Sequence, residues 1–311
     1  MIDQKTTIKN LALIAGVHGN ELTPAYLVKY LQNSPNLIAR SSFQSHSLIA
    51  NPLALKQRVR YIDTDLNRCF NQKDLVNPDC QQYEQKRAKK IVKEIREKSI
   101  DLLIDIHSTT SNMMLAIIYS NPHPWLLKLF TYLTKINPDV RLIYHPVSEE
   151  ENHFLKGICP LAFTLEIGPI NHGVICPYLF RQTETLIYQI LDYIEQENYL
   201  AAHLDTFSES LTVYQRLGSI DYPRDEQGEI KAMLHPQILQ RDYQAIQPNQ
   251  PIFLGFDGQE IIYRGESELY PIFVGESSYK EKGIALCWTE KNKSILISTS
   301  TAVLLTKNRS K

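Results

Sequence analysis

Two residues near the start of the chain, His18 and Glu21 in the run GVHGNE, have the types and spacing to share one cation. Side chains at i and i+3 lie on the same side of a helical turn, so an imidazole and a carboxylate placed there converge. Gly16 and Gly19 let the backbone turn tightly around them. H-x-x-E on its own recurs by chance, and the plainer alternative is a loop histidine beside a first-turn glutamate stabilised by the helix dipole. His107 closes the apolar run LLIDIH. If that run and residues 8–17 are neighbouring strands of a parallel sheet, His107 lands beside the His18/Glu21 turn, since such sheets gather ligands at the carboxyl ends of their strands. Two histidines and one carboxylate leave a fourth position for water, the ligand set of catalytic zinc. Asp105, two residues back on the same face, is either an orienting partner for that imidazole or a buried, capped carboxylate.

Glu166 ends the otherwise apolar run LAFTLE and is followed by Gly-Pro. A carboxylate there faces a cleft or needs a buried partner, and a metal-dependent hydrolase needs a base within reach of its attacking water. RYIDTDLNR supplies Arg60, Asn67 and Arg68 alongside Asp63 and Asp65. Guanidiniums capture carboxylates bidentately and stabilise a developing oxyanion; the competing reading is a set of Arg–Asp surface pairs, which contribute little.

These residues need a frame, and the sequence describes one. IKNLALIAGV, HSLIAN, LLIDIH, LAIIYS, RLIYHP and LAFTLEIG read as strands. Between them lie helical patterns at ELTPAYLVKYLQ, QQYEQKRAKKIVKEIREK and PWLLKLFTYLTKI, and YLFRQTETLIYQILDYIEQ follows the last strand. This alternation predicts an α/β domain with a mainly parallel sheet flanked by helices, over residues 1–204. From about residue 205 short β-like runs (PIFLGF, EIIYRG, YPIFVG, GIALCW, SILIST) take over, which predicts a smaller β-rich C-terminal domain over 205–311.

With 311 residues, 43% apolar and 22% charged, the chain has ample material for a core. A net charge of −1 gives no reason to expect a nucleic-acid or polybasic membrane partner. The N-terminus lacks the apolar core of a signal peptide, and no apolar run approaches the roughly 20 residues of a membrane helix. Five scattered cysteines without a C-x-x-C pair fit free thiols in a reducing, cytoplasmic setting. His145 and the other histidines outside these motifs have no paired ligand spacing and read as surface or locally hydrogen-bonded residues.

Taken together and in order, GVHGNELT, NPLALKQRVRYIDTDLNR, DIHSTTSNM, LEIGP, DYPRDEQGEI and YPIFVGESSY resemble the aspartoacylase branch of the aspartoacylase/succinylglutamate desuccinylase family. The matching stretches run from residue 16 to 279, and the linked set is specific where each piece is not. The resemblance implies a zinc-carboxypeptidase-like α/β domain with a β-rich C-terminal domain capping the active site. It implies hydrolysis of the amide of an N-acyl amino acid, N-acetyl-L-aspartate in this branch. Residue by residue it implies one Zn2+ per subunit on His18, Glu21 and His107, a general base at Glu166, and a carbonyl-polarising role for Arg60. It further implies substrate binding by Asn67, Arg68 and Tyr279, a small anionic substrate, and a homodimer. Lys156 stands where this branch carries an arginine for the substrate side chain, and Asn152 where a pocket tyrosine is expected. Lysine keeps the charge and loses the planar fork. Other readings are a deacylase of N-acyl-aromatic amino acids, a succinylglutamate desuccinylase, a small carboxypeptidase, or a catalytically silent zinc-binding module.

Overall fold

The computed structural model describes residues 6–148, 153–200, 208–297 and 301–303. Its first part holds the strands β1 (Asn10–Ala15), β2 (Gln44–Ile49), β3 (Leu102–Ser108), β4 (Met114–Tyr119), β5 (Val140–Tyr144) and β6 (Leu161–Gly168), with helices between most of them; β3 leads directly into β4. The helices are α1 (Leu22–Asn33), α2 (Pro52–Gln57), α3 (Gln72–Val76), α4 (Tyr83–Glu97), α5 (Pro124–Ile136) and α6 (Pro177–Tyr199). The chain then supplies β7 (Ser208–Ile220), β8 (Ala232–Leu234), β9 (Pro251–Gly255), β10 (Glu260–Ile262), β11 (Tyr270–Ile272), β12 (Leu286–Ile297) and β13 (Thr301–Val303).

Among the described residues the main sheet runs β11-β12-β7-β5-β4-β6-β3-β1-β2, with β13 added to β12. The pairs β1/β2, β1/β3, β3/β6, β4/β5 and β5/β7 are parallel, whereas β4 runs antiparallel to β6 and β12 antiparallel to β7 and β11. The architecture is thus a mixed, mostly parallel sheet flanked by helices. A second, three-stranded sheet, β10-β9-β8, belongs to the β-rich C-terminal part. The expected domain boundary at residues 204 and 205 lies outside the described residues.

Side-chain alternation sorts each central strand onto two faces. Leu11, Leu13, Leu102, Ile104, Ile106, Phe163 and Leu165 join α1, α5 and α6 in one core. Ala12, Ile14, Leu103 and Ala162 face the other way and pack on Ala88, Ile91, Val92 and Ile95 of α4. Further along that second face the cover changes: Ala116, Ile118 and Ile143 pack beneath Tyr214, Ile272, Phe273 and Cys287 of the C-terminal part. Asp105, His107, Thr164 and Glu166 share the strand parity of this second face. Their side chains therefore emerge where the cover passes from α4 to the C-terminal part.

Two features of the C-terminal part differ from expectation. GIALCW and SILIST are not separate strands: β12 runs from Leu286 through Glu290–Lys293 to Ile297, pairing with β7 along its length across one register shift between Trp288 and Thr289. Its charged middle reads as a break in the sequence because the pairing partner, β7, has no clear apolar signature of its own. β7 itself, SESLTVYQRLGSI, is a 13-residue strand that carries the main sheet into the C-terminal part.

Candidate active site

β1 ends at Ala15 and Gly16 takes φ +69, a left-handed turn that glycine adopts at little cost. Gly19 is held by close approach: a Cβ there would sit 2.1 Å from the backbone carbon of Ala54, and its N–H donates to Arg60 O at 3.1 Å. The turn so fixed delivers His18 and Glu21 to the mouth of α1. His18 Nδ1 lies 2.6 Å from Glu21 Oε1, and His107 Nδ1, arriving from the end of β3, lies 3.0 Å from Glu21 Oε2. The structure therefore brings together His18, Glu21 and His107, all buried, with one donor atom of each within 4.8 Å of the others.

The outer nitrogens are occupied as well. His18 Nε2 lies 3.0 Å from Asp65 Oδ1, and His107 Nε2 lies 2.9 Å from Asp105 Oδ2. Each imidazole thus has carboxylate oxygen at both nitrogens. A neutral imidazole has a single N–H, so both contacts are satisfied only by imidazolium or by a cation between the Nδ1 lone pairs and Glu21. Two imidazoles steadied by carboxylates and a third, shared carboxylate make a donor set that fits a divalent metal ion. The electrostatics follow from this crowding of carboxylates and imidazoles. Burial pushes Glu21 up, but the His18 and His107 rings hold it well below the usual carboxylate range. Burial pushes His107 down, yet Asp105 and Glu21 raise it well above an ordinary histidine.

Glu166 is the register partner of His107 on β6 and lines the same pocket. Burial raises its carboxyl well above the usual range; His107 opposes this, and the Glu21, Glu276 and Asp105 carboxylates add to it. Arg60 stands over the metal-type group from the loop after α2. Its Nη1 is 3.6 Å from Glu21 Oε1 and its Nη2 is 3.5 Å from Asp65 Oδ2, so the Arg–Asp pairing weighed above is present, on an arginine that lines the pocket. That loop is pinned from beneath. Glu84, fully buried in the first turn of α4, accepts from the backbone N–H groups of Ile62 at 2.7 Å, Asp63 at 3.0 Å and Thr64 at 3.2 Å, and from Asn51 Nδ2 at 3.0 Å.

Asn67, Arg68, Lys156 and Tyr279 all line the pocket. Asn67 Oδ1 accepts from Leu155 N at 2.9 Å, which ties the 60–68 loop to the short turn Leu155–Ile158 carrying Lys156. Arg68 and Lys156 flank the Phe154 ring, at 4.8 and 5.6 Å from its centre. Burial brings the Lys156 ammonium down to about 7. Tyr279 enters from the C-terminal part against Phe273, and burial raises its phenol. Asn152 lies outside the described residues.

Sequence reasoning missed several pocket residues. Glu276 sits inside a quoted motif with no role assigned; it lines the pocket and accepts from Thr109 Oγ1, Thr110 N and Ser278 N, which fastens the C-terminal part to the end of β3. Lys282 lies 3.6 Å from Asp65 Oδ2. His145, expected as surface or locally hydrogen-bonded, is hydrogen-bonded to Arg216 and lines the pocket. Arg216 shares strand parity with Tyr214 on β7, the one local hint that it faces inward.

Comparisons with known proteins agree with this arrangement. Residues 7–194 match the family model for the Succinylglutamate desuccinylase/Aspartoacylase catalytic domain, and residues 209–291 match the AstE/AspA barrel-sandwich hybrid domain. A probable aspartoacylase of Nostoc sp. is 44% identical over 287 residues, covering 91% of this chain and 97% of that protein. The human N-acyl-aromatic-L-amino acid amidohydrolase (carboxylate-forming) is 34% identical over 294 residues, covering 91% of each. The crystal structure of murine aminoacylase 3 superposes with a TM-score of 0.87 at 31% identity, covering 97% of this chain and all of that one. A match that spans both parts of the chain, over a pocket built from both, leads to one assignment: the chain belongs to the succinylglutamate desuccinylase/aspartoacylase family.

Proposed function

We propose that this amide hydrolase is a zinc enzyme that cleaves N-acyl-L-amino acids, with N-acetyl-L-aspartate as its substrate. The observation that carries the reading is the pairing of His107 with Glu166 across two parallel strands, which sets a carboxyl of raised pKa beside the His18–Glu21–His107 group. Those three residues would hold the ion. Zinc so held supplies a Lewis acid, which polarises an amide carbonyl and makes water more acidic.

The chain's own groups account for the rest. Glu166 takes a proton from the attacking water as its oxygen bonds to the acyl carbon; a carboxylate of raised pKa is a stronger base than an ordinary one. Arg60 donates to the carbonyl oxygen as it gains negative charge, from a site where Glu84 fixes its loop beforehand. Glu166 then returns the proton to the amide nitrogen as the carbon–nitrogen bond breaks, releasing a carboxylate and a free amino acid. Asn67, Arg68, Lys156 and Tyr279 hold the substrate's carboxylates and thereby orient the amide. The C-terminal part closes the pocket with Tyr279 and Glu276, which limits bulk water around the charged groups.

One observation favours a second reading. Ile118, Ile143, Ile272, Phe273 and Ile284 also line the pocket, and such a wall suits an aromatic substrate side chain. Amine release from N-acetyl-L-aspartate and N-acetyl-L-phenylalanine, measured side by side on zinc-loaded protein, separates the two. Preference for the aspartate derivative supports the reading, and preference for the phenylalanine derivative replaces it. The cysteines among the described residues are free, and no described helix is long and apolar enough to cross a membrane. Free thiols suit a reducing, cytoplasmic setting, which we propose for this enzyme, and the homodimer expected from the family resemblance is checked by its sedimentation mass.

A further inference from the structure

Charge counting around the pocket singles out two guanidiniums. Arg60 is placed against Glu21 and Asp65, and Lys282 against Asp65. Arg68 and Arg216 form no ion pair with a carboxylate among the described residues: Arg68 Nη1 donates to Asn67 O at 2.8 Å, and Arg216 Nη1 lies 2.7 Å from His145 Nε2. The remaining contact of Arg216 is a long one, 3.7 Å from Nη2 to the Cys287 sulfur. A half-buried cation without a counter-charge is costly unless a ligand supplies one. The sulfur Arg216 approaches belongs to a neutral, buried patch, since Cys287 pairs in register with Ile272 and both are buried.

His145 explains how the fork is aimed. Burial, then the Arg216, Lys156 and Arg68 charges, bring its imidazole down to about 3, so it is neutral near pH 7. A neutral ring with its Nε2 lone pair toward Arg216 accepts one N–H and fixes the plane of the guanidinium, leaving its other donors for a ligand. Lys156 at the same end offers a point charge, whereas an arginine offers two parallel N–H groups matched to a carboxylate. A substrate with one carboxylate needs one such fork; two here, Arg68 and Arg216, lack an ion-pair partner among the described residues, and of these only the Arg68 charge reaches a carboxylate, that of Asp65.

We propose that Arg216, oriented by His145, binds the side-chain carboxylate of an acidic N-acyl-L-amino acid and sets the enzyme's preference for dicarboxylates over neutral substrates. The proposal rests on the N-acyl amino acid reading above and adds the residue that selects within it. Arg216 is a specificity residue from the C-terminal part of the chain, so the acidic preference depends on β7 being docked on β5.

The test is steady-state kinetics of the zinc-loaded, full-length protein on N-acetyl-L-aspartate, N-acetyl-L-alanine and N-acetyl-L-phenylalanine. Wild type is compared with Arg216→Met and Arg216→Lys. Arg216→Met is expected to lower kcat/KM for the aspartate derivative by about 10², the loss of a charge-assisted pair, mostly through KM. The alanine derivative should be nearly unaffected, and Arg216→Lys should recover part of the loss. An equal fall on all three substrates would make Arg216 merely structural and overturn the proposal, as would wild-type preference for the phenylalanine derivative. Calorimetric titration of the same proteins with L-aspartate and L-alanine reads the subsite without turnover. Tighter L-aspartate binding in wild type that disappears in Arg216→Met supports the subsite even if no amide is cleaved, a result that would sink the hydrolase reading alone. Equal affinities for the two amino acids overturn the subsite whatever the turnover. If Arg216→Met does not fold, the Arg216→Lys ratios and the wild-type titration decide.

Discussion

Replacing Glu166 by glutamine should remove activity and, in the metal-free protein, add stability. Glutamine has the same shape, and Leu165 and Ile167 on either side are fully buried, so the strand has no reason to move. The rate effect follows from losing the base: a fall in kcat on the order of 10² to 10⁴ with zinc content unchanged. The stability effect follows from the raised carboxyl. Burial comes first among its causes, and the Glu21, Glu276 and Asp105 charges add to it against His107. A carboxyl whose pKa is higher folded than unfolded stabilises the fold fully below the unfolded value, near 4.5. That contribution is lost as pH rises through the folded value. Each unit of elevation amounts to about 1.4 kcal/mol once the group is ionised in the folded state. Glutamine never ionises, so the variant should melt above wild type at pH 8, with the gap closing toward pH 4. Thermal melts of chelator-treated protein at both pH values, beside amine-release rates of zinc-loaded protein, test both halves. A variant that keeps its rate within about tenfold of wild type would remove Glu166 from the base role. One that is less stable than wild type at pH 8 would refute the electrostatic argument.

Other substitutions probe the groups around it. His107→Ala should abolish zinc binding, read by elemental analysis after gel filtration, because one of three donors is gone. Asp65→Asn leaves the donors in place but weakens the hold on His18 Nε2, and zinc affinity should fall about 10- to 100-fold in a competition titration. Glu84→Gln turns an N–H group toward backbone N–H groups that now donate to a carboxylate. Loss of about 3 kcal/mol in denaturant unfolding is expected, together with reduced kcat from a misplaced Arg60. An unchanged unfolding midpoint would contradict the pinning role of Glu84.

The α/β part was legible because each element is long enough for its period to show and each strand end carries a recognisable residue. LAFTLEIG becomes β6 residue for residue, and His107 and Glu166 face the same cleft because parallel pairing puts them side by side. The pair His18 and Glu21 was readable for a local reason, three-residue spacing at a helix mouth. What the sequence hides is assembled across the sheet. Arg216 meets His145 only because β7 docks on β5, and nothing in either local stretch names the other. Glu84 has no local signal that sets it apart from the other charges of α4, since its partners are backbone N–H groups some 20 residues earlier. β12 was split in the reading because its central Glu290–Lys293 run is charged, though the strand continues through it. Lys156 was visible as a cation, but its burial, and with it a pKa lowered to about 7, appears only in the fold, where Asn67 holds the turn at Leu155 and the ammonium lies over Phe154.

Metal-dependent hydrolysis at the His18–Glu21–His107 group is the central claim. Chelator-treated protein titrated with zinc, while amine release from N-acetyl-L-aspartate is followed, measures it. Activity should be absent at the start and rise in proportion to bound metal, levelling off at one zinc per chain. Full turnover of the chelated, metal-free protein would contradict the account.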